Sequence, residues 1–98
     1  MTIGKTKKED ALTISLEGRL DTVTAPELEK ELKESLAGVT SLTFDFNALD
    51  YISSAGLRIL LSTQKAMSGK GQMKICNANE TIMEIFEVTG FNDILTIE

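Results

Sequence analysis

The sequence predicts an α/β fold with a mixed, largely parallel sheet of four to five strands and helices packed against it. In several short segments apolar residues alternate with polar ones, which is the period of a half-buried strand. In the segments between them apolar residues recur every three or four positions, as in an amphipathic helix. The resulting order is β-β-α-β-α-β-α-β, and its repeated β-α-β units imply parallel strands joined by right-handed crossovers.

In chain order, the predicted elements are strands over 3–7 and 11–18, a helix over 24–38, a strand over 42–46, a helix over 54–68, a strand over 73–76, a helix from 79 to about 90 and a strand over 94–97. The second strand has the clearest signal, because Leu12, Ile14 and Leu16 alternate with polar residues. The first strand precedes it across a polar turn, so the two should form an antiparallel hairpin.

The first helix begins in an S/T-x-x-E spacing. In such a spacing the Thr24 hydroxyl and the Glu27 carboxylate each cap a free backbone N–H. Pro26 falls in the first turn, where its missing N–H leaves no hydrogen bond unmade. Leucines recur every four residues from Leu28, and Gly38 is a typical residue for the end of the helix.

The second half of the chain follows the same periods. Phe44 and Phe46 alternate with polar residues in the third strand, and residues 47–53 are predicted to connect it to the second helix. The buried face of that helix should consist of Leu57, Leu60, Leu61, Gln64 and Met67. Asn79 is the expected cap of the third helix, and Gly90 its end.

The length, composition and net charge of the chain indicate which broad class of protein it belongs to. The 98 residues suit a single domain over 1–98, and 42% hydrophobic with 26% charged residues is ordinary globular usage. The net charge of -5 argues against nucleic-acid binding, which needs a basic face. The apolar stretches are too short for a membrane helix, and the polar N-terminus has no apolar signal-peptide core. We therefore expect a soluble cytoplasmic protein with neither a nucleic-acid nor a membrane partner.

The absence of histidine excludes several sites at once. No Ser-His-Asp triad, Cys-His pair or histidine-based zinc site is possible. The aspartates do not have the spacing of a calcium loop, so we predict no metal site and no cofactor. Cys76 is the only cysteine, which excludes an intramolecular disulfide and suits a reducing compartment.

The segment D-Y-I-S-S-A-G-L at 50–57 is placed where ligands and partners bind open α/β sheets, between the end of a central strand and the start of a helix. Three interpretations of the serine pair compete. Ser53 or Ser54 can simply cap the helix. A nucleophilic serine is disfavoured because the chain has neither a histidine base nor the G-x-S-x-G spacing, although a carboxylate or lysine base stays formally open. A phosphoserine would be stabilised by the free N–H groups of the helix start.

Three motifs together resemble the anti-sigma factor antagonist family, also known as the STAS domain. They are F-D-F-N-A-L-D-Y-I-S-S-A-G-L-R-I-L-L at 44–61, G-R-L-D at 18–21 followed by T-A-P-E-L, and V-T-G-F-N-D-I-L at 88–95. The resemblance covers nearly the whole chain. It implies a non-enzymatic binding protein that, when unphosphorylated, binds an anti-sigma factor serine kinase.

The resemblance also implies a switch. The family's phosphorylated serine lies two residues before a glycine, which Gly56 assigns to Ser54. Phosphorylation ends the binding, and a metal-dependent serine phosphatase restores it. Many members carry aspartate before that serine, whereas this chain has Ser53, which is therefore an alternative acceptor.

The expected partner-binding residues are Asp21, Tyr51, Ile52, Ser53, Ser54, Gly56 and Arg58. Several have a second, structural interpretation: Asp21 as a turn-forming aspartate, Tyr51 and Ile52 as partly buried residues, and Arg58 as an exposed charge. Two other functions stay open, a STAS scaffold subunit without turnover at Ser54 and a sensor of a nucleotide or other small ligand. The sequence does not determine the oligomeric state.

Overall fold

The computed structural model describes residues 1–98 and contains a four-stranded sheet and three α-helices. The elements are β1 (Thr2–Lys8), β2 (Ala11–Leu20), α1 (Ala25–Ser35), β3 (Ser41–Ile52), α2 (Ser54–Met67), β4 (Gln72–Cys76) and α3 (Glu80–Thr89). The strands follow one another in the order β1-β2-β3-β4, with β1 antiparallel to β2 and the other pairs parallel. The predicted fold class is confirmed.

The core lies on one face of the sheet. The buried strand residues that alternate along this face include Leu12, Ile14, Leu16, Leu42, Phe44, Phe46, Met73 and Ile75. Their neighbours along the strands are polar and at least partly exposed, as Ser15, Asp45 and Lys74 show. All three helices contribute to the same apolar cluster. The other face of the sheet is therefore left to solvent.

Strand β3 is longer than predicted. It continues to Ile52, whereas residues 47–53 were expected to form a connection. The pairing of β2 with β3 shifts twice, and each shift leaves one extra residue in β3. Because of these bulges, the buried residues in this part of β3 are three positions apart instead of two. They are Phe46, Leu49 and Ile52. A strand of this kind lacks the regular apolar–polar alternation by which strands are recognised in a sequence.

The last predicted strand, over 94–97, was wrong. Phe91–Asp93 forms a short 3-10 helix, and only a single parallel bridge joins Ile97 to Ile75. The 3-10 helix and the turn after it occupy residues 91–95, so only the residues around Ile97 lie beside β4. The sheet accordingly has four strands, the lower of the two numbers expected.

The buried face of α2 is rotated from its prediction. Ile59 and Thr63 are buried, whereas Leu61 and Gln64 are only half-buried. Ile59 and Thr63 line a groove with Leu32 of α1, so α2 packs against that helix as well as against the sheet. The Thr63 hydroxyl is satisfied because it donates to the Ile59 carbonyl at 2.7 Å.

The capping predictions had mixed outcomes. Asn79 caps α3, because its side chain accepts from the Ile82 N–H at 2.8 Å, and Gly90 ends that helix in the left-handed conformation. The capping box of α1 is not formed. Thr24 occupies the N-cap position, but its side chain makes no cap hydrogen bond. The Thr24 hydroxyl instead donates to the Arg19 carbonyl at 2.8 Å, which closes the turn before the helix.

Candidate functional site

The ends of β2 and β3 lie side by side, and α1 and α2 begin just beyond them. The backbone N–H of Ser53 donates to the Leu20 carbonyl at 2.9 Å. This hydrogen bond fixes the start of α2 beside the turn that follows β2. The predicted site residues Asp21, Tyr51 and Ser54 therefore lie at one edge of the sheet.

Ser54 is the first residue of α2 and is exposed. The N-cap residue is Ser53, and no side chain caps this helix. The backbone N–H groups of Ser54, Ala55 and Gly56 donate no hydrogen bond within the chain. Free donors combine with the helix dipole to make this end of α2 favourable for negative charge.

The two serine hydroxyls differ in access. The Ser53 Oγ has less than 1 Å² of accessible surface and no hydrogen-bond partner. Its neighbour Ser54 is exposed. Neither hydroxyl caps α2, so simple capping does not describe the pair. Of the two serines, Ser54 is therefore the more accessible to an enzyme in this structure.

Two of the predicted contact residues lie beneath this edge. Ile52 is 1% exposed, and Gly56 is also buried. A Cβ atom at Gly56 would lie 2.7 Å from both the Ile52 Cγ1 and the Leu20 Cγ. The structure thus gives Ile52 and Gly56 a positioning role: glycine lets α2 approach the ends of β2 and β3. Their burial does not favour direct contact of either residue with a partner, and that expectation stays a prediction.

Asp21 forms the turn between β2 and α1. Its Oδ1 accepts from the backbone N–H groups of Thr24 at 3.1 Å and Val23 at 3.0 Å. Hydrogen bonding from Thr24, the largest cause, lowers the pKa of Asp21, and the Val23 N–H and Arg19 charge act in the same direction. The carboxylate is half-buried and engaged. These contacts are those of the turn-forming aspartate named as its second interpretation.

Arg19 is part of the site although the sequence did not single it out. Its guanidinium lies over the Tyr51 ring, 4.5 Å from the ring centroid, in a cation–π contact. Its Nε is 3.8 Å from the Asp21 Oδ2. Arg19 and Tyr51 are paired across β2 and β3 only because of the second register shift. Local sequence gives no signal of that shift.

The start of α3 is attached to the same edge through Asn79. Besides capping α3, Asn79 donates from Nδ2 to the Leu49 carbonyl at 3.1 Å. A longer bond of 3.4 Å joins it to the Asp50 carbonyl. One amide side chain thus connects the start of the third helix to the bulged end of β3.

Arg58 lies one turn after Ser54 and is exposed. It lines a shallow groove between α1 and α2 together with Thr22, Pro26 and Glu29. None of the ion pairs in the structure includes Arg58. Its charge is therefore available at the surface beside Ser54.

Comparison with known proteins identifies the family. The STAS domain family model matches residues 2–98. BtrV of Bordetella bronchiseptica, named as a candidate anti-sigma factor antagonist, is 32% identical over 99% of this chain and 85% of that protein. The anti-sigma-B factor antagonist of Bacillus subtilis is 26% identical over 93% of this chain and 84% of that protein. The chain belongs to the STAS domain family.

A solved structure supports the same fold. The Bacillus cell fate determinant SpoIIAA in its phosphorylated form superimposes with a TM-score of 0.77 at 17% identity, covering 99% of this chain and 91% of that one. The resemblance seen in the sequence motifs is thus confirmed, and with it the mixed α/β architecture. In this STAS domain no helix combines the length and apolar character needed to cross a membrane.

Proposed function

We propose that this STAS domain is an anti-sigma factor antagonist switched by phosphorylation of Ser54. In its unphosphorylated form it binds an anti-sigma factor that is also a serine kinase. Phosphorylation by that kinase ends the binding, and a metal-dependent serine phosphatase reverses it. The observation that carries the proposal is the exposed Ser54 hydroxyl at the uncapped start of α2, at the edge it shares with Asp21 and Tyr51.

The structure gives this switch a physical basis. A phosphate adds about -1.5 to -2 charges at neutral pH. The free N–H groups at the start of α2 accommodate it, so the fold is retained in both states. In an interface the same group must be desolvated, and a cost of about 3 kcal/mol weakens binding roughly a hundredfold. The switch therefore needs no large conformational change in the domain.

The relatives support the same role. The two curated proteins carry the names of anti-sigma factor antagonists, which describe a binding function. SpoIIAA, which shares the fold, has been solved in a phosphorylated form. We accordingly assign this domain the roles of binding protein and kinase substrate, not of enzyme, acting in the cytoplasm, where sigma factors act.

The test compares four proteins: wild type, Ser54→Ala, Ser54→Asp and Ser68→Asp. Ser68 is exposed at the opposite end of α2, so Ser68→Asp makes the same chemical change away from the candidate site. The partner is an anti-sigma factor kinase from the same cells, identified by co-purification and then purified. We expect Ser54→Asp to lose at least tenfold in affinity by calorimetry, while Ser68→Asp binds as wild type.

Phosphorylation is measured in the same experiment with the purified kinase and ATP. Wild type should incorporate phosphate at position 54 by mass spectrometry, and Ser54→Ala should incorporate none. Phosphate on Ser53 would contradict the assignment. Equal affinity of wild type, Ser54→Ala and Ser54→Asp would overturn the switch and favour a STAS scaffold without turnover.

A further inference from the structure

Arg58 and Ser54 are separated by four positions within one continuous helix, Ser54–Met67. Both side chains are exposed. Residues with this spacing are neighbours on a helix surface, with Cβ atoms about 6 Å apart. An acidic group on Ser54 would therefore lie within reach of the long Arg58 side chain.

The charges around this pair favour such a contact. Helix α2 contains no acidic residue, and its other cation, Lys65, lies in the last turn. Across the groove, Glu29 of α1 is bonded to Lys33 at 3.6 Å, whereas Arg58 has no carboxylate partner. The other nearby cation, Arg19, is already held by Tyr51 and Asp21. Arg58 is thus the cation at this edge that is free to respond to a new anion.

The order of Ser54 and Arg58 along α2 also favours an ion pair between a phosphate on Ser54 and the Arg58 guanidinium. A pair with the anion on the N-terminal side and the cation four residues later complements the helix dipole. A guanidinium binds phosphate oxygens through two parallel N–H donors, which an ammonium does not do. The phosphate oxygens that the free N–H groups of α2 do not bind would be available to the two N–H donors of the Arg58 guanidinium.

We propose that, in the phosphorylated domain, the Ser54 phosphate forms an ion pair with Arg58 within α2. This inference rests on the proposed modification of Ser54 and specifies its consequence. The pair neutralises part of the phosphate charge and withdraws the Arg58 guanidinium from the surface beside the groove. One modification thereby changes two features that a bound partner meets: it adds an anion and removes a free cation.

The test uses phosphoserine placed at position 54 during translation, so that no kinase is needed. The second pKa of this phosphate is followed by 31P NMR in wild type, Arg58→Gln, Arg58→Lys and Lys65→Gln. Lys65→Gln is the matched control because it removes one charge from the same helix. We expect the second pKa of the phosphate to be about 0.5 lower in wild type than in Arg58→Gln, which is a roughly threefold larger acid dissociation constant. Lys65→Gln should match wild type, and Arg58→Lys should fall between.

Salt provides a second readout. The difference between wild type and Arg58→Gln should largely disappear in 1 M NaCl, where the Debye length is about 3 Å. Equal titration of these two proteins at low salt would overturn the proposal. Circular dichroism of the unmodified variants verifies that each is folded. Because the titration involves no partner, it can succeed or fail independently of the binding experiment on Ser54.

Discussion

The Arg19 guanidinium lies over the Tyr51 ring, 4.5 Å from its centroid, where the ends of β2 and β3 meet. The Nε of Arg19 is also 3.8 Å from the Asp21 carboxylate. One side chain therefore joins the turn after β2 to the end of β3. These contacts stabilise the edge of the sheet from which α2 begins. They therefore support the candidate site, although Ser54 takes no part in them.

We expect Arg19→Gln and Tyr51→Leu each to lower the free energy of unfolding, because each removes the cation–π contact. In a double-mutant cycle the two should couple by about 0.5 kcal/mol, the size of an exposed contact of this type. Urea unfolding of the two single variants and the double variant measures the coupling. Strictly additive effects would show that the contact contributes nothing to stability.

Gly56→Ala should destabilise the domain because the new methyl group would lie 2.7 Å from the Leu20 and Ile52 side chains. We expect a loss of about 1–3 kcal/mol, as for other overpacked cores. Gly4→Ala is the control, since its Cβ would be 3.7 Å from the nearest atom, an ordinary contact. Chemical denaturation of both variants provides the comparison. A Gly56→Ala protein as stable as Gly4→Ala would mean that α2 shifts at no cost.

Asp21→Ala should destabilise the turn in a pH-dependent manner. Hydrogen bonds from Thr24 and Val23 lower the pKa of Asp21, so its contribution is present above the unfolded pKa of about 3.9 and is lost as the pH falls through the lower folded value. The difference in urea midpoint between wild type and Asp21→Ala should thus be larger at pH 7 than at pH 2.5. Asp50→Ala, at an exposed position outside this turn, is the control. An Asp21 effect independent of pH would assign it to side-chain packing and not to charge.

The fold class was predictable because it depends on local periods, which the sequence displays directly. Leu12, Ile14 and Leu16 show alternation, and the leucines of α1 show the helical repeat. The extension of β3 was not predictable, since it depends on bulges that only pairing with β2 reveals. The last strand failed for a related reason: an apolar run at the chain end does not show how much of a ladder it can form.

The sequence indicated where Ser54 and Gly56 lie, at the start of a helix, but not the contacts around them. Their roles, which the family resemblance implies, stay predictions. Arg19 was not singled out, because a register shift sets its pairing with Tyr51. The roles of Ile52 and Gly56 depend on burial, which no short motif specifies. Capping was also misjudged for α1, because the Thr24 hydroxyl bonds to the preceding turn instead of to the helix.

Two N-cap residues in this chain allow a direct comparison. Asn79 caps α3 through a 2.8 Å hydrogen bond from the Ile82 N–H, whereas Ser53 makes no side-chain cap on α2. Moreover, the Ser53 Oγ is buried without any hydrogen-bond partner. Loss of an effective cap costs about 1 kcal/mol, but removal of an unsatisfied buried hydroxyl is close to neutral or stabilising.

We therefore expect Asn79→Ala to reduce the free energy of unfolding by at least about 1 kcal/mol, since it also removes the bonds to the Leu49 and Asp50 carbonyls. Ser53→Ala should leave stability within about 0.5 kcal/mol of wild type or raise it. Urea unfolding of the two variants at pH 7 measures both. A loss for Ser53→Ala as large as that for Asn79→Ala would show that the Ser53 hydroxyl caps α2 in solution. In that case the N–H groups beside Ser54 would not all be free for a phosphate.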